Sequence, residues 1–123
     1  MAKNSSDYVT RADEVIQNLK KDRRYRLTTS QIRNLLSMVN KIDNKIRRTN
    51  SNDLSNDVLS DIQYLRVRFA YEAGRNTDVK KFVDDAGILN ELKNIGKDKS
   101  KFYDFMKYME ALVAFHRFHG GND

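Results

Sequence analysis

Apolar residues return every three or four positions in several separate runs along this chain, the spacing that places them on one face of a helix. Val9, Ala12, Val15 or Ile16, and Leu19 predict a first helix from about Ser6 to Lys20. Ile32, Leu35, Leu36, Val39, Ile42 and Ile46 form the stripe of a second. In the third, Val58, Ile62, Leu65, Phe69 and Ala73 share one side, while Tyr64, Val67 and Tyr71 stand nearly opposite. A helix apolar on two sides is ordinarily buried among neighbours. The pattern therefore predicts a central helix, with Asp61, Arg68, Glu72 and Arg75 as a narrow outward edge. Phe102, Phe105, Met106, Met109, Leu112, Val113 and Ala114 give a last long helix from Lys101 to about His119, widened by Tyr103, Tyr108, Phe115 and Phe118. Such aromatic density can stack bases, but at helical spacing it is assigned to the core.

The boundaries carry their own signals. Thr28 and Gln31 have capping-box spacing, and Leu27 with Ile32 that of a hydrophobic staple. Residues 49–55 read as a polar linker, with Asp53 or Ser55 as cap of the central helix. Gly74 is expected to end that helix in the left-handed conformation. Asn76 or Thr77 starts a short helix with Val79, Phe82 and Val83, closed by Gly87. Ile88, Leu89, Leu92 and Ile95 make another piece closed by Gly96, and Ser100 is the expected cap of the last helix. The segment from Lys21 to Arg26 has no periodicity and reads as a charged, solvated connector.

Composition narrows the class. The chain has 123 residues, enough for one domain with a real core. It lacks proline, and its five glycines all fall between or after the apolar runs. The expectation is all-α: a compact single-domain bundle of about four to six helices, with residues 1–7 and 120–123 as loose ends. The absence of cysteine excludes disulfides and thiol chemistry. No stretch has the length or apolarity of a signal peptide or membrane span, so a soluble cytoplasmic protein with no membrane partner is expected.

Net charge is +6, unevenly placed. Lys20 to Arg48 holds ten basic residues against Asp22 and Asp43, a local +8, whereas the remainder sums to −2. The polar face of the second helix reads Arg33, Asn34, Ser37, Asn40, Lys41, Asn44, Lys45, Arg47 and Arg48, while Asp43 lies towards the apolar flank. Surface helices usually mix signs, because opposite charges four apart stabilise one another. An acid-free face of Arg, Lys, Asn and Ser supplies charge and donors without repelling phosphate. A solvated face remains the alternative.

Little here suits catalysis. His116 and His119 are the only histidines; a pair three apart can hold a metal, but no third ligand is nearby, and surface or partly packed histidines are expected. No carboxylate pair stands out and no Gly-rich phosphate loop is present. The reading is a non-enzyme with no catalytic residue, metal or cofactor.

Three stretches, Leu27-Thr-Thr-Ser-Gln-Ile-Arg-Asn-Leu35, Tyr64-Leu-Arg-Val-Arg-Phe-Ala-Tyr-Glu-Ala-Gly-Arg75 and Tyr108-Met-Glu-Ala-Leu-Val-Ala-Phe115, together resemble the small subunit of type III-A (Csm) CRISPR effector complexes. The resemblance spans about Leu27 to Phe118. It implies a non-catalytic helical bundle that stacks with further copies of itself as the inner filament of a ribonucleoprotein. There it would line the guide RNA–target RNA duplex. Its partners would be backbone subunits that cut the target and a large subunit with nuclease and cyclic-oligoadenylate synthesis activities. Motif positions Arg33, Asn40, Lys41, Arg68 and Arg75 would bind RNA, joined by Lys45 and Arg48 on the same face as Arg33. Arg66 is either RNA-binding or structural, paired with an acid such as Glu110. The alternatives are a stand-alone nucleic-acid-binding module and a pure protein scaffold.

Overall fold

The computed structural model describes residues 7–48 and 53–120. Six helices follow one another: α1 (Asp7–Lys20), α2 (Thr29–Ile46), α3 (Asn56–Arg75), α4 (Thr77–Ala86), α5 (Ile88–Lys93) and α6 (Lys99–Phe118). No strand occurs among the described residues; a single antiparallel bridge joins Asp53 and Asp98 ahead of α3 and α6. The all-α expectation holds. The expected helix start at Ser6, most of the 49–55 linker and residues 121–123 lie outside the described residues. Asp7, expected in a loose end, is the first residue of α1.

The helix starts follow local chemistry. Thr28 Oγ1 accepts from Gln31 N at 3.1 Å, and Gln31 Oε1 accepts from Thr28 N at 2.8 Å, the full capping box. Ser55 caps α3 through Val58 N, and Asn76 caps α4 through Asp78 N and Val79 N. Two expectations are corrected. Gly74 lies within α3, which ends one residue later at Arg75 and runs into the extended Asn76. The cap of α6 is Asp98, whose carboxylate accepts from Ser100 N, so the helix begins at Lys99 and not after Ser100. Gly87 does adopt φ 66° and lets α4 turn directly into α5.

Close packing runs in a ring, α1 on α6, α6 on α2, α2 on α3, α3 on α4 and α4 back on α1, with α5 set against α3, α4 and α6. Each helix turns most of its stripe inward, but Val9 at the start of α1 and Phe118 at the end of α6, both expected on apolar faces, are 40% and 78% exposed. Ile16, Ile32, Val39, Phe69, Phe82, Phe102, Met109 and Leu112 are all inaccessible to solvent or nearly so. The stripe Val58, Ile62, Leu65, Phe69 and Ala73 is buried as expected. Tyr64, Val67 and Tyr71 are not: they are 61%, 59% and 59% exposed. The helix expected at the centre is one member of the ring, and its second apolar stripe faces outward.

One cluster ties the ring's ends together. Arg11 of α1 donates to Glu91 Oε2 at 2.8 Å and to the carbonyl of Ala86 at 3.0 Å, with its guanidinium 4.5 Å from the Tyr108 ring centroid. Tyr108 donates to the same carbonyl at 2.8 Å. The last carbonyl of α4 thus gains two donors where its helix can supply none.

Candidate nucleic-acid interface

The outer face of α2 is exposed at Arg33, Asn34, Ser37, Asn40, Lys41, Asn44, Arg47 and Arg48. Ile32, Leu35, Val39, Ile42 and Ile46 on the inner face are buried, so the same eighteen residues anchor the helix and present its charge. Among the described residues, no ion pair engages Arg33, Lys41 or Arg48. These cations keep their hydrogen-bond donors open to solvent.

Other basic side chains are committed. Lys45 reaches across to α3, with Nζ 2.8 Å from Asp61 Oδ2 and 3.0 Å from Asp57 Oδ2. These two carboxylates, Asp61 foremost, hold its pKa above the ordinary lysine value. Arg47 Nε lies 2.7 Å from the buried Asp43, which holds the guanidinium still more firmly protonated. Arg68 and Arg75 flank Glu72 at 3.5 and 3.8 Å, and Arg75 also lies 5.6 Å from the Tyr71 ring centroid. Arg66 donates to Gln63 Oε1 at 2.7 Å, one turn back on its own helix, and not to Glu110.

The two basic stretches meet. A groove between α2 and α3 is lined by Met38, Lys41, Ile42, Asp61, Tyr64, Leu65 and Arg68. Lys41 and Arg68, far apart in sequence, thus line one groove together with exposed Tyr64 and with Asp61. Tyr64 and Tyr71, which the two-sided apolar pattern places in the core, are exposed, and the expected RNA-binding set does not include them. The available signal was their type: tyrosine keeps a polar hydroxyl that a buried site must satisfy. The larger cleft, between α1, α5 and α6, mixes Arg11, Asn90, Glu91, Asn94, Asp98 and Asp104 and holds none of the expected RNA-binding residues.

His119 is partly packed, as expected, whereas His116 departs from expectation. His116 is fully buried, neither ring nitrogen has a hydrogen-bond partner among the described residues, and burial, helped by Lys20, lowers its pKa to about 4. His119 Nε2 lies 2.7 Å from Asp13 Oδ1, fastening the end of α6 to α1. Among the described residues no group of three or more His, Asp or Glu side chains stands close enough to hold a metal ion, and no helix is long and apolar enough to cross a membrane.

Comparison with known proteins agrees with the motifs. The family model for Csm2 Type III-A matches residues 2–122. The CRISPR system Cms protein Csm2 of Streptococcus thermophilus is 44% identical over 119 residues, covering 95% of this chain and 94% of that protein. Its namesake in Mycobacterium tuberculosis (strain CDC 1551 / Oshkosh) is 40% identical over 113 residues, 91% of this chain and 90% of the relative. That of Enterococcus italicus is 38% identical over 99 residues, 79% and 71% respectively. With near-complete coverage and an all-helical fold, the chain belongs to the Csm2 family of type III-A CRISPR systems.

Proposed function

We propose that this chain is a non-catalytic small subunit of a type III-A effector, stacking with copies of itself as an inner filament and holding the guide RNA–target RNA duplex in antiviral defence. The observation that carries the reading is the outer face of α2. It is exposed, free of acids, and continues across the groove to Arg68. Arg33, Asn40, Lys41 and Arg48 offer donors to phosphate and sugar oxygens, and Arg75 extends the row along α3. Lys45 sits on the same surface with its charge shared by two carboxylates. Nothing in this arrangement reads base edges. Sequence choice would lie in pairing between guide and target, leaving the protein to recognise backbone and shape. Backbone subunits and a large subunit would supply the chemistry.

The test compares an Arg33→Ala, Lys41→Ala, Arg48→Ala variant with an Arg68→Ala, Arg75→Ala variant in reconstituted complex. Melting temperature, subunit content and target-RNA affinity are followed across a salt series. Normal assembly with weaker binding is expected, and each lost duplex phosphate contact should flatten the log–log salt dependence by about one unit. Unchanged affinity and slope in both variants would leave a protein scaffold instead.

A further inference from the structure

The exposed stripe of α3 has an order that neither the fold nor backbone contact requires. Tyr64, Arg68, Tyr71 and Arg75 occur at successive spacings of four, three and four, which makes them one continuous ridge along the helix. Aromatic ring and guanidinium alternate along it, and Val67 supplies an apolar flank. All five side chains are exposed. Glu72 lies beside the ridge, held by both arginines and largely covered, so its charge is balanced locally. Lys41 adds a cation across the groove beside Tyr64.

We infer that this ridge is a stacking platform for a short run of unpaired RNA, Tyr64 and Tyr71 taking base faces while Arg68, Arg75 and Lys41 take the intervening phosphates. Seven residues of helix separate the tyrosines by about 10.5 Å, close to three nucleotide steps at about 3.4 Å per phosphate of a stacked strand. Aromatic rings accept any base, because every base has a π-face, so the platform is sequence-tolerant like the rest of the surface. A paired duplex hides its base faces in its own stack. The ridge therefore adds a contact that the duplex-holding α2 face cannot make: it prefers nucleotides out of the helix. A second protein copy fits the patch less well. Stable protein interfaces bury about 800 Å² per partner around a well-packed apolar centre, and here Val67 is the one aliphatic side chain on a single narrow ridge.

The inference rests on the RNA-binding reading above, and its test separates the two. The isolated full chain would be titrated, by fluorescence anisotropy over a salt series, with a short labelled oligoadenylate and with an abasic ribose-phosphate strand of equal length. The variants are Tyr64→Leu, Tyr71→Leu, which keeps apolar bulk but loses the π-face, and Tyr64→Phe, Tyr71→Phe, which keeps both. The expected result is tighter binding of the oligoadenylate than of the abasic strand. The leucine variant should lose that preference, by about tenfold per tyrosine, with unchanged abasic affinity, while the phenylalanine variant retains it. Equal affinity of the parent for both strands would overturn the platform and leave backbone binding intact. Binding of neither strand at any salt would also overturn the platform, while the duplex-holding reading stands or falls with the salt series on the reconstituted complex. A leucine variant that changes oligomeric state, with RNA preference unchanged, would assign the ridge to a second copy instead.

Discussion

His116 continues the row Phe102, Phe105, Met109 and Leu112 at alternating spacings of three and four, so its burial was legible in the periodicity of α6. Residue type argued the other way, since histidine prefers the surface, and here packing won. The consequence is a stability that depends on pH. With a folded pKa of about 4 against an ordinary 6.5, the folded state keeps this ring neutral where the unfolded chain already binds a proton. Stability should therefore fall as pH drops from about 6.5 towards 4, and this contribution should change no further below that. Asp13, lowered by Gln17 and then His119, and Asp98, lowered by Ser100, act in a separate window. Their contribution is complete above the ordinary carboxylate value and is lost only as pH falls through their depressed folded values. Urea midpoints measured between pH 7.5 and 5 should decline in the parent and much less in His116→Leu; parallel curves would show that the buried ring is not the cause. Gly74 offers a second residue-scale expectation. It lies in α3 without positive φ, and a Cβ placed there meets no atom within 4 Å. Gly74→Ala should raise stability by roughly 0.5–1 kcal/mol, the ordinary helix-interior difference, seen as a higher melting temperature.

At the scale of elements, periodicity located every helix, and capping chemistry set the starts of α2, α3 and α4. It failed where two residues competed for one role. Asp98 outcompetes Ser100 because a carboxylate two residues earlier already accepts from Ser100 N. Gly74 does not stop α3 because Asn76 can both leave the helix in an extended conformation and cap α4. The larger misreading was the two-sided pattern of α3. A hydrophobic pattern states which faces are apolar and not whether a neighbour covers each one, and tyrosine counts as apolar while tolerating water. Mutation separates the two stripes. Leu65→Ala and Phe69→Ala remove side chains 3% and 0% exposed and should each cost roughly 2–5 kcal/mol in denaturant unfolding. Tyr64→Ala and Tyr71→Ala, on the exposed stripe, should stay within about 0.5 kcal/mol of the parent. A large loss at the tyrosines would mean that the outward stripe supports the fold itself.

For the whole molecule, the positive excess between Lys20 and Arg48 was legible as a total, but its effective strength depends on the ring. Packing α2 against α3 brings Asp57 and Asp61 to Lys45, a pairing that no local spacing announces because the lysine and the two carboxylates lie on different helices. A cation already neutralised by protein releases few counterions when it meets phosphate, so it should add little to the salt dependence of RNA binding. Lys45→Met should accordingly leave the log–log slope nearly unchanged, whereas Arg48→Ala, at a position free of ion pairs among the described residues, should flatten it by about one unit for a duplex. The converse variant is the sharper test. Asp57→Asn with Asp61→Asn releases Lys45 without moving it, and binding should become tighter at low salt with a slope about one unit steeper. Asp57 also stands in the first turn of α3, where its charge favours the helix dipole. The double variant should therefore melt slightly lower even as it binds better. Opposite signs for stability and affinity are what a protein-held lysine requires. If Lys45→Met instead flattens the slope as much as Arg48→Ala does, phosphate competes successfully with both carboxylates, and Lys45 is a full member of the proposed RNA-binding face.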